Sequence, residues 1–383
     1  MGVESTDSRL QAAVRAELPV PGHPFGLAPT PDGRWLFVSL RAPRASPAGW
    51  RDLVGGPHRD GVAVLRCDPT GARLIQVIPL EKPAGLALMH NGTLLLVAQA
   101  KGAITCIDVS DAVAGSSDSV LGSVRTGDES GTVQVVLSRD ERYAFASEEW
   151  HDAVSVVDLR RALTSDFSAD AVVGRVPVDR FPVGMALSAD DGRLYVTSQE
   201  QRVVDPGDRQ EGTLTVVDAT RAKEDPTTAV LVRMPAGHDP VRVALSPSGN
   251  VAWITARADD HLIALDTRRS QGSERGARLA SIPVGVAPVG VALVSTGRVA
   301  LVANSNRFAG AGQRQTVSVV DTAATLAGRQ GVRGTLLVGA FPREFAVAAD
   351  ERTAFLSNFG SSTVAVIDVQ ILIDALARSR ELP

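Results

Sequence analysis

The sequence predicts an all-β fold, a seven-bladed β-propeller in which four-stranded sheets close into a ring. Three observations carry this. The segment "RLYVTSQE" (193–200) recurs as "DGRWLFVSL" (32–40), "NGTLLLVAQ" (91–99), "DERYAFASE" (140–148), "SGNVAWITA" (248–256), "TGRVALVAN" (296–304) and "DERTAFLSN" (350–358), seven copies in all. Each copy is preceded by a short apolar segment of the kind "FPVGMALS" (181–188) and followed by a strand ending in aspartate. Between the copies there are turn residues and further short strands but no sustained helical period, the pattern of an array of small sheets.

The elements follow in order within each repeat. Strand a ("PVGMALS") is rich in small residues, and Gly26, Gly85, Gly184 and Gly290 suit the crowded innermost position of a radial sheet. Strand b ("RLYVTS") follows a polar turn, and strand c ("GTLTVVD") ends at Asp68, Asp108, Asp158, Asp218, Asp266, Asp321 or Asp368. Those carboxylates are expected to accept backbone N–H bonds at the c–d turns rather than to form a ring of acids. Six strands of type d follow a strand c; the seventh stands at the front, in "AAVRAELPVPG" (12–22). The N-terminal strand, about 12–20, therefore completes the blade whose other strands come from the C-terminus, and closure leaves no long sheet edge. After the last strand c, residues 369–381 read as an amphipathic helix, and 1–383 read as one domain.

Composition agrees. The chain has 383 residues, 44% of them hydrophobic, enough for a large core, and the closed ring accommodates this length in one unit. A net charge of −4 speaks against nucleic acid or an anionic membrane as partner, and no apolar run has transmembrane length. The start lacks a basic end and an unbroken apolar stretch, so a cytoplasmic location is expected. Cys67 and Cys106 stand at different distances from their strand-end aspartates, which predicts free thiols rather than a disulfide.

"RLYVTS" after "PVGMALSADDG", with "GTLTVVD" to follow, resembles the YVTN-type repeat of seven-bladed propellers, a group similar to the lactonase-type propellers. The resemblance runs from about residue 12 to residue 369. It implies the fold, and it implies a superfamily that holds lactone hydrolases, lyases, cyclases, oxidoreductase subunits and protein-binding scaffolds; fold alone does not choose among them.

Function is therefore sought where the repeat is broken. In an up-and-down sheet the d–a and b–c connections emerge on one face, and three of the b–c connections are long: 41–60 in blade 1, 200–211 in blade 4 and 306–314 in blade 6. Such loops suit either a lined pocket over the channel or a surface for a protein partner. His23, His58, His151, His238 and His261 fall on that same face, whereas His90 sits in an a–b turn. Imidazole moves protons or binds metal near neutral pH; a divalent metal would need several of these histidines to converge from different blades.

At the inner rim, charged residues replace small ones. Arg343 and Glu344 stand in blade 7 where blade 4 has Val183 and Gly184, Arg242 replaces the glycine of blade 5, Lys82 precedes the proline of blade 2, and blade 3 has Glu129 and Ser130. These charges either hold an anionic ligand or pair across the channel, as Arg343 with Glu129 or Arg242 with Glu344. "SEEWHD" (147–152) adds Glu148, Glu149 and His151 around Trp150, a carboxylate and an imidazole in a partly apolar setting.

No phosphate loop, nucleophile elbow or haem-attachment motif is present, and no cofactor is expected beyond a possible divalent metal. Two readings follow. One is an enzyme acting on a small polar or anionic molecule by acid–base chemistry at the mouth (lactone hydrolysis, elimination, or cyclisation and isomerisation), with His151, Glu148, His23 and His238 as candidate proton carriers. In that reading Arg343, Glu344, Arg242, Lys82, His58 and Trp150 hold the substrate. The other is a non-catalytic scaffold presenting its three long loops to a protein.

Overall fold

Seven antiparallel sheets of four strands each are arranged around a central channel in the computed structural model, which describes residues 8–42, 60–68, 71–200, 210–269, 276–306 and 315–379. Blade 4 shows the repeat: strand a is Pro182–Leu187, b Arg193–Ser198, c Thr213–Asp218 and d Val230–Pro235. Strand b is buried almost throughout because both of its faces pack on neighbouring blades, whereas strand d at the periphery alternates mostly between half-buried and exposed. The core lies between blades. Phe145, Val154 and Val176 of blade 3, for example, interlock with Met185, Leu194 and Val196 of blade 4.

The ring closes as the strand count requires. Blade 7 takes Pro342–Val347, Thr353–Asn358 and Thr363–Asp368 from the C-terminal part of the chain and Val14–Pro19 as its outer strand. The pairing is antiparallel, with Glu17 opposite Ala365 and Pro19 opposite Thr363. The C-terminal helix, Val369–Ser379, buries Leu372 and Ala375 against Leu10 of a short N-terminal helix, Ser8–Gln11, that the sequence pattern did not reveal.

Strand c ends differently from the simple turn expected. Asp108, Asp158, Asp218 and Asp321 each accept the amide of the third residue onward and so cap a single helical turn, and Asp368 caps the C-terminal helix in the same way. Asp266 instead accepts the Arg268 amide at 3.0 Å without a helix. Asp108, Asp158, Asp218 and Asp321 thus serve local backbone donors by capping helices too short to carry a periodic signature.

Two features of strand a position the site. At Gly184 a Cβ would lie 2.2 Å from the Val241 carbonyl oxygen of the next blade, so the inner strands approach too closely for any larger residue pointing that way. All seven inner strands also carry a β-bulge just after their first residues, as between Pro342 and Phe345 in blade 7 and between Pro240 and Val243 in blade 5. A bulge breaks the alternation of side chains, so consecutive residues can both turn toward the channel.

Both cysteines are free, and burial pushes the thiol of Cys67 up to about 11 and that of Cys106 up to about 12. Among the described residues, no helix is long and apolar enough to cross a membrane.

Candidate functional site

A cavity of about 420 Å³ opens at the end of the channel that carries the d–a and b–c connections. It is built in tiers. The residue after the first proline or threonine of strand a forms the floor: Phe25, Ala84, Val133, Val183, Val241 and Val289 make one buried apolar cluster there. Blade 7 alone puts a charge at this level, Arg343. One residue further along, where most blades have glycine, Arg242 of blade 5 reaches Glu344 of blade 7, Nε to Oε2 at 2.7 Å, in an ion pair across the channel. The Arg242 side chain is almost fully buried and Glu344 mostly so, which makes this pair a brace whose breakage leaves a charge without compensation. Glu344→Ala is expected to lower stability by about 2 kcal/mol, the usual cost discounted for Glu344's residual exposure, as read from urea unfolding.

The upper tier comes from two corners of every blade. The residue before strand a adopts a left-handed backbone in six blades, at Lys82, Gly131, Phe181, Asp239, Ala287 and Phe341, and Lys82, Gly131, Phe181 and Phe341 among them line the mouth. The residue after strand b hydrogen-bonds to this corner: Ala100 to Lys82, Glu149 to Gly131, Gln199 to Phe181, Arg257 to Asp239 and Phe359 to Phe341. Thus Lys82, Glu149, Gln199, Arg257 and Phe181 line the cavity together with Arg41, the last residue of strand b in blade 1.

Arg343 is held in an unusual manner. Its guanidinium carbon lies 4.3 Å from the ring centre of Phe25, 5.0 Å from that of Phe341 and 5.7 Å from that of Phe359. These cation–π contacts fix the group but accept no hydrogen bonds in its plane. Among the described residues no acceptor meets its N–H donors and no carboxylate pairs with it, although protein surrounds it and solvent reaches it only in part. Burial, reinforced by Arg242, Arg41 and Arg257 and opposed by Glu344, pushes its pKa down to about 9, so it stays cationic at neutral pH.

On the opposite wall Glu149 belongs to a chain of polar contacts. Asp239 accepts from Arg257 at 3.2 Å, Arg257 donates to the Gln199 carbonyl oxygen at 2.8 Å, and the Gln199 amide is left to donate to Glu149. Burial raises the Glu149 pKa above the ordinary carboxylate value; the positive charges of Arg343, Arg257 and Arg242 oppose the rise without cancelling it. A carboxyl so placed is able to hold a proton against a bound molecule and to exchange it.

The sequence-derived candidates divide. Arg343, Arg242, Lys82 and Trp150 line the cavity, and Glu344 braces it from below. Lys82 lies 3.7 Å from Glu129, so the pairing considered between Arg343 and Glu129 is not formed. Glu148 is fully buried between blades 2 and 3, accepting from Ser155 at 2.6 Å and Arg175 at 3.1 Å, and His151 sits beside it at 3.4 Å; neither lines the cavity. His23 is buried, stacked on Phe359 and 2.7 Å from the Phe359 carbonyl oxygen. His238 contacts Asp259 at 2.6 Å, and His261 lies 2.5 Å from the Asp259 carbonyl oxygen. On the other face His90 pairs with Glu141. Among the described residues no three His, Cys, Asp or Glu side chains form a metal-holding group. His58 and most of the three long loops lie outside the described residues.

Gln199, Arg257 and Arg41 join the site although they were not among the candidates, and Glu149, noted in "SEEWHD" but not assigned a role there, joins it in place of Glu148. The signal for Glu149, Gln199 and Arg257 was in the repeat itself, since all occupy the position directly after strand b.

The comparisons with known proteins bear on fold. No protein-family model matches the chain, and no curated protein matches it in sequence. Solved structures do. Hydrazine synthase from Kuenenia stuttgartiensis matches with 16% identity over 92% of this chain and 97% of that one, TM-score 0.66. A chain of the Mitotic Checkpoint Complex gives 11% identity, 96% and 97% coverage and a TM-score of 0.68. The β-propeller domain of Cps50 (Swd1) from Myceliophteria thermophila gives 12%, 93%, 98% and 0.64. The likeness is to a shared propeller architecture, found in an enzyme and in a chain of a protein complex alike.

Proposed function

We propose that the channel mouth binds a small anionic molecule and that Glu149 transfers a proton to or from it. The observation that carries this is Arg343, a guanidinium seated among three phenylalanine rings, its donors unengaged by the described residues, in the lining of a cavity that also holds Glu149. Arginine held this way grips an oxyanion through parallel hydrogen bonds. Gln199 and Arg257 orient the Glu149 carboxyl, and the apolar floor keeps bulk water from competing. The likeness of "RLYVTS" and its flanking strands to YVTN-type and lactonase-type propellers supports ring opening, elimination or cyclisation as the reaction class.

The pH dependence has a definite sign. Glu149's folded pKa is raised, so ionisation takes place above the ordinary carboxylate range. As pH rises through that raised value the new negative charge repels the ligand, and affinity falls. Folding stability falls over the same window, from the unfolded pKa up to the folded one, because the unfolded state gives up its proton first. Glu149→Gln should flatten both profiles, bind anions at least as well as the parent near neutral pH, and lose turnover by about 10²-fold or more. The check is thermal shift and calorimetry with small carboxylates and lactones from about pH 5 to about pH 8. A parent chain whose anion affinity does not change with pH would remove Glu149 from the mechanism.

A protein-binding role is the second reading, favoured by Trp150 and Val286, each about half exposed on the mouth face. Under it, Trp150→Ala would abolish partner capture and Arg343 substitutions would do little.

A further inference from the structure

Resting on the anion-binding reading above, we infer the class of ligand: a monocarboxylate carried on an aromatic body, its carboxylate on the N–H edge of Arg343 and its ring against the valine floor.

Charge comes first. Of the four other cations of the cavity, three have carboxylate partners, Lys82 with Glu129 at 3.7 Å, Arg242 with Glu344 at 2.7 Å and Arg257 with Asp239 at 3.2 Å, and Arg41 donates to the Pro83 carbonyl oxygen at 2.7 Å. Arg343 makes no ion pair among the described residues, Glu344 and Glu149 acting on it only from a distance, so one further negative charge is what its donors can take. A phosphate dianion or a dicarboxylate would bring a second charge toward Glu149 or break one of the existing pairs, at the cost of leaving a partly buried carboxylate uncompensated. The guanidinium fork also matches the two coplanar oxygens of a carboxylate.

The body of the ligand is set by the floor. The side chains of Val183, Val241 and Val289, with that of Phe25, offer only apolar surface at the floor, the polar side chains Arg41, Lys82, Glu149, Gln199 and Arg257 standing above it. A hydroxylated body would lose its water there without replacement, at roughly 1–3 kcal/mol for each unpaired group. A flat apolar body loses nothing and buries its own surface. Trp150, exposed over half its surface at the rim, supplies an aromatic side wall on which such a ring can stack.

The test uses the full chain and the Arg343→Met chain, titrated calorimetrically with benzoate, phenylacetate, acetate, succinate, inorganic phosphate and benzamide. Benzoate or phenylacetate is expected to bind about tenfold or more tighter than acetate, from the apolar area of the ring alone. Benzamide, which has the shape without the charge, should bind weakly, and Arg343→Met should lose the aromatic carboxylates while keeping the parent's circular dichroism. If succinate or phosphate binds more tightly than either aromatic acid, and does so through Arg343, the ligand class is wrong while the anion site stands. If no anion binds, or binding is indifferent to Arg343→Met, the class and the site fail together.

Discussion

Arg343→Met is expected to weaken anion binding by about 10²-fold or more and, at the same time, to stabilise the fold by about 1–2 kcal/mol. The two effects have one cause. The guanidinium is enclosed among Phe25, Phe341 and Phe359 with no ion-paired carboxylate among the described residues, and Arg242, Arg41 and Arg257 crowd it with positive charge that Glu344 only partly offsets. Its cationic form is therefore costly in the unliganded protein, and the depressed pKa reports that cost. The sign follows directly: with the folded value near 9 and the unfolded value above it, stability is reduced at neutral pH and recovers only as pH climbs through that window. Methionine has similar length, packs well on aromatic rings and carries no charge, so it relieves the penalty while deleting the fork. Arg343→Lys separates charge from geometry: an ammonium keeps the attraction but not the paired donors, and should recover part of the affinity. Urea unfolding and calorimetry on the three chains provide the check. A methionine variant that is less stable than the parent and binds anions equally well would make Arg343 a packing residue.

Why Arg343 was legible in the sequence, while Glu149 was passed over for its neighbour, is a matter of what a repeat reveals. An aligned repeat exposes a break in composition, and arginine at a position held by valine, alanine or phenylalanine in the other blades is such a break. The ring closure was legible for the same reason, since strands of each type could be counted. Side-chain direction at a strand end is not given by composition. Glu148 is the last residue of strand b and turns between blades toward Arg175, whereas Glu149 lies past the end of the ladder, where the chain bends over the channel. Comparing Glu149 with Gln199 and Arg257, its equivalents in the next two blades, would have found the upper tier. The histidines shared a face without sharing a site, because each is drawn to the nearest acceptor: His23 to the Phe359 carbonyl, His238 to Asp259. The possible pairing of Arg242 with Glu344 rested on both occupying the glycine level, and the bulge in each strand is what lets them meet.

Removal of residues 1–20 is expected to abolish the soluble folded state. The deletion takes away Val14–Pro19, the outer strand of blade 7, and with it the buried side chains of Leu10, Ala13, Leu18 and Val20. At about 2–5 kcal/mol for each large buried apolar side chain lost, the total approaches the whole stability of a typical domain. The lost backbone contacts add to this, among them the Asp368 amide on the Ala13 carbonyl at 2.8 Å and the Val20 amide on the Ser362 carbonyl at 3.0 Å. What remains is Thr363–Asp368 as an open edge with buried-type residues on both faces, a template for pairing with other chains. The damage extends to the site, because Pro342–Val347 of the same blade carries Arg343 and Glu344, and Phe359 of its b–c connection holds the guanidinium in place. A peptide spanning residues 8–22, supplied during refolding, should restore solubility and anion binding together by adding the missing strand in trans. If the truncated chain is soluble and melts like the parent without the peptide, blade 7 does not depend on its N-terminal strand. If the peptide restores solubility while binding stays absent, the site depends on more than the closure of blade 7.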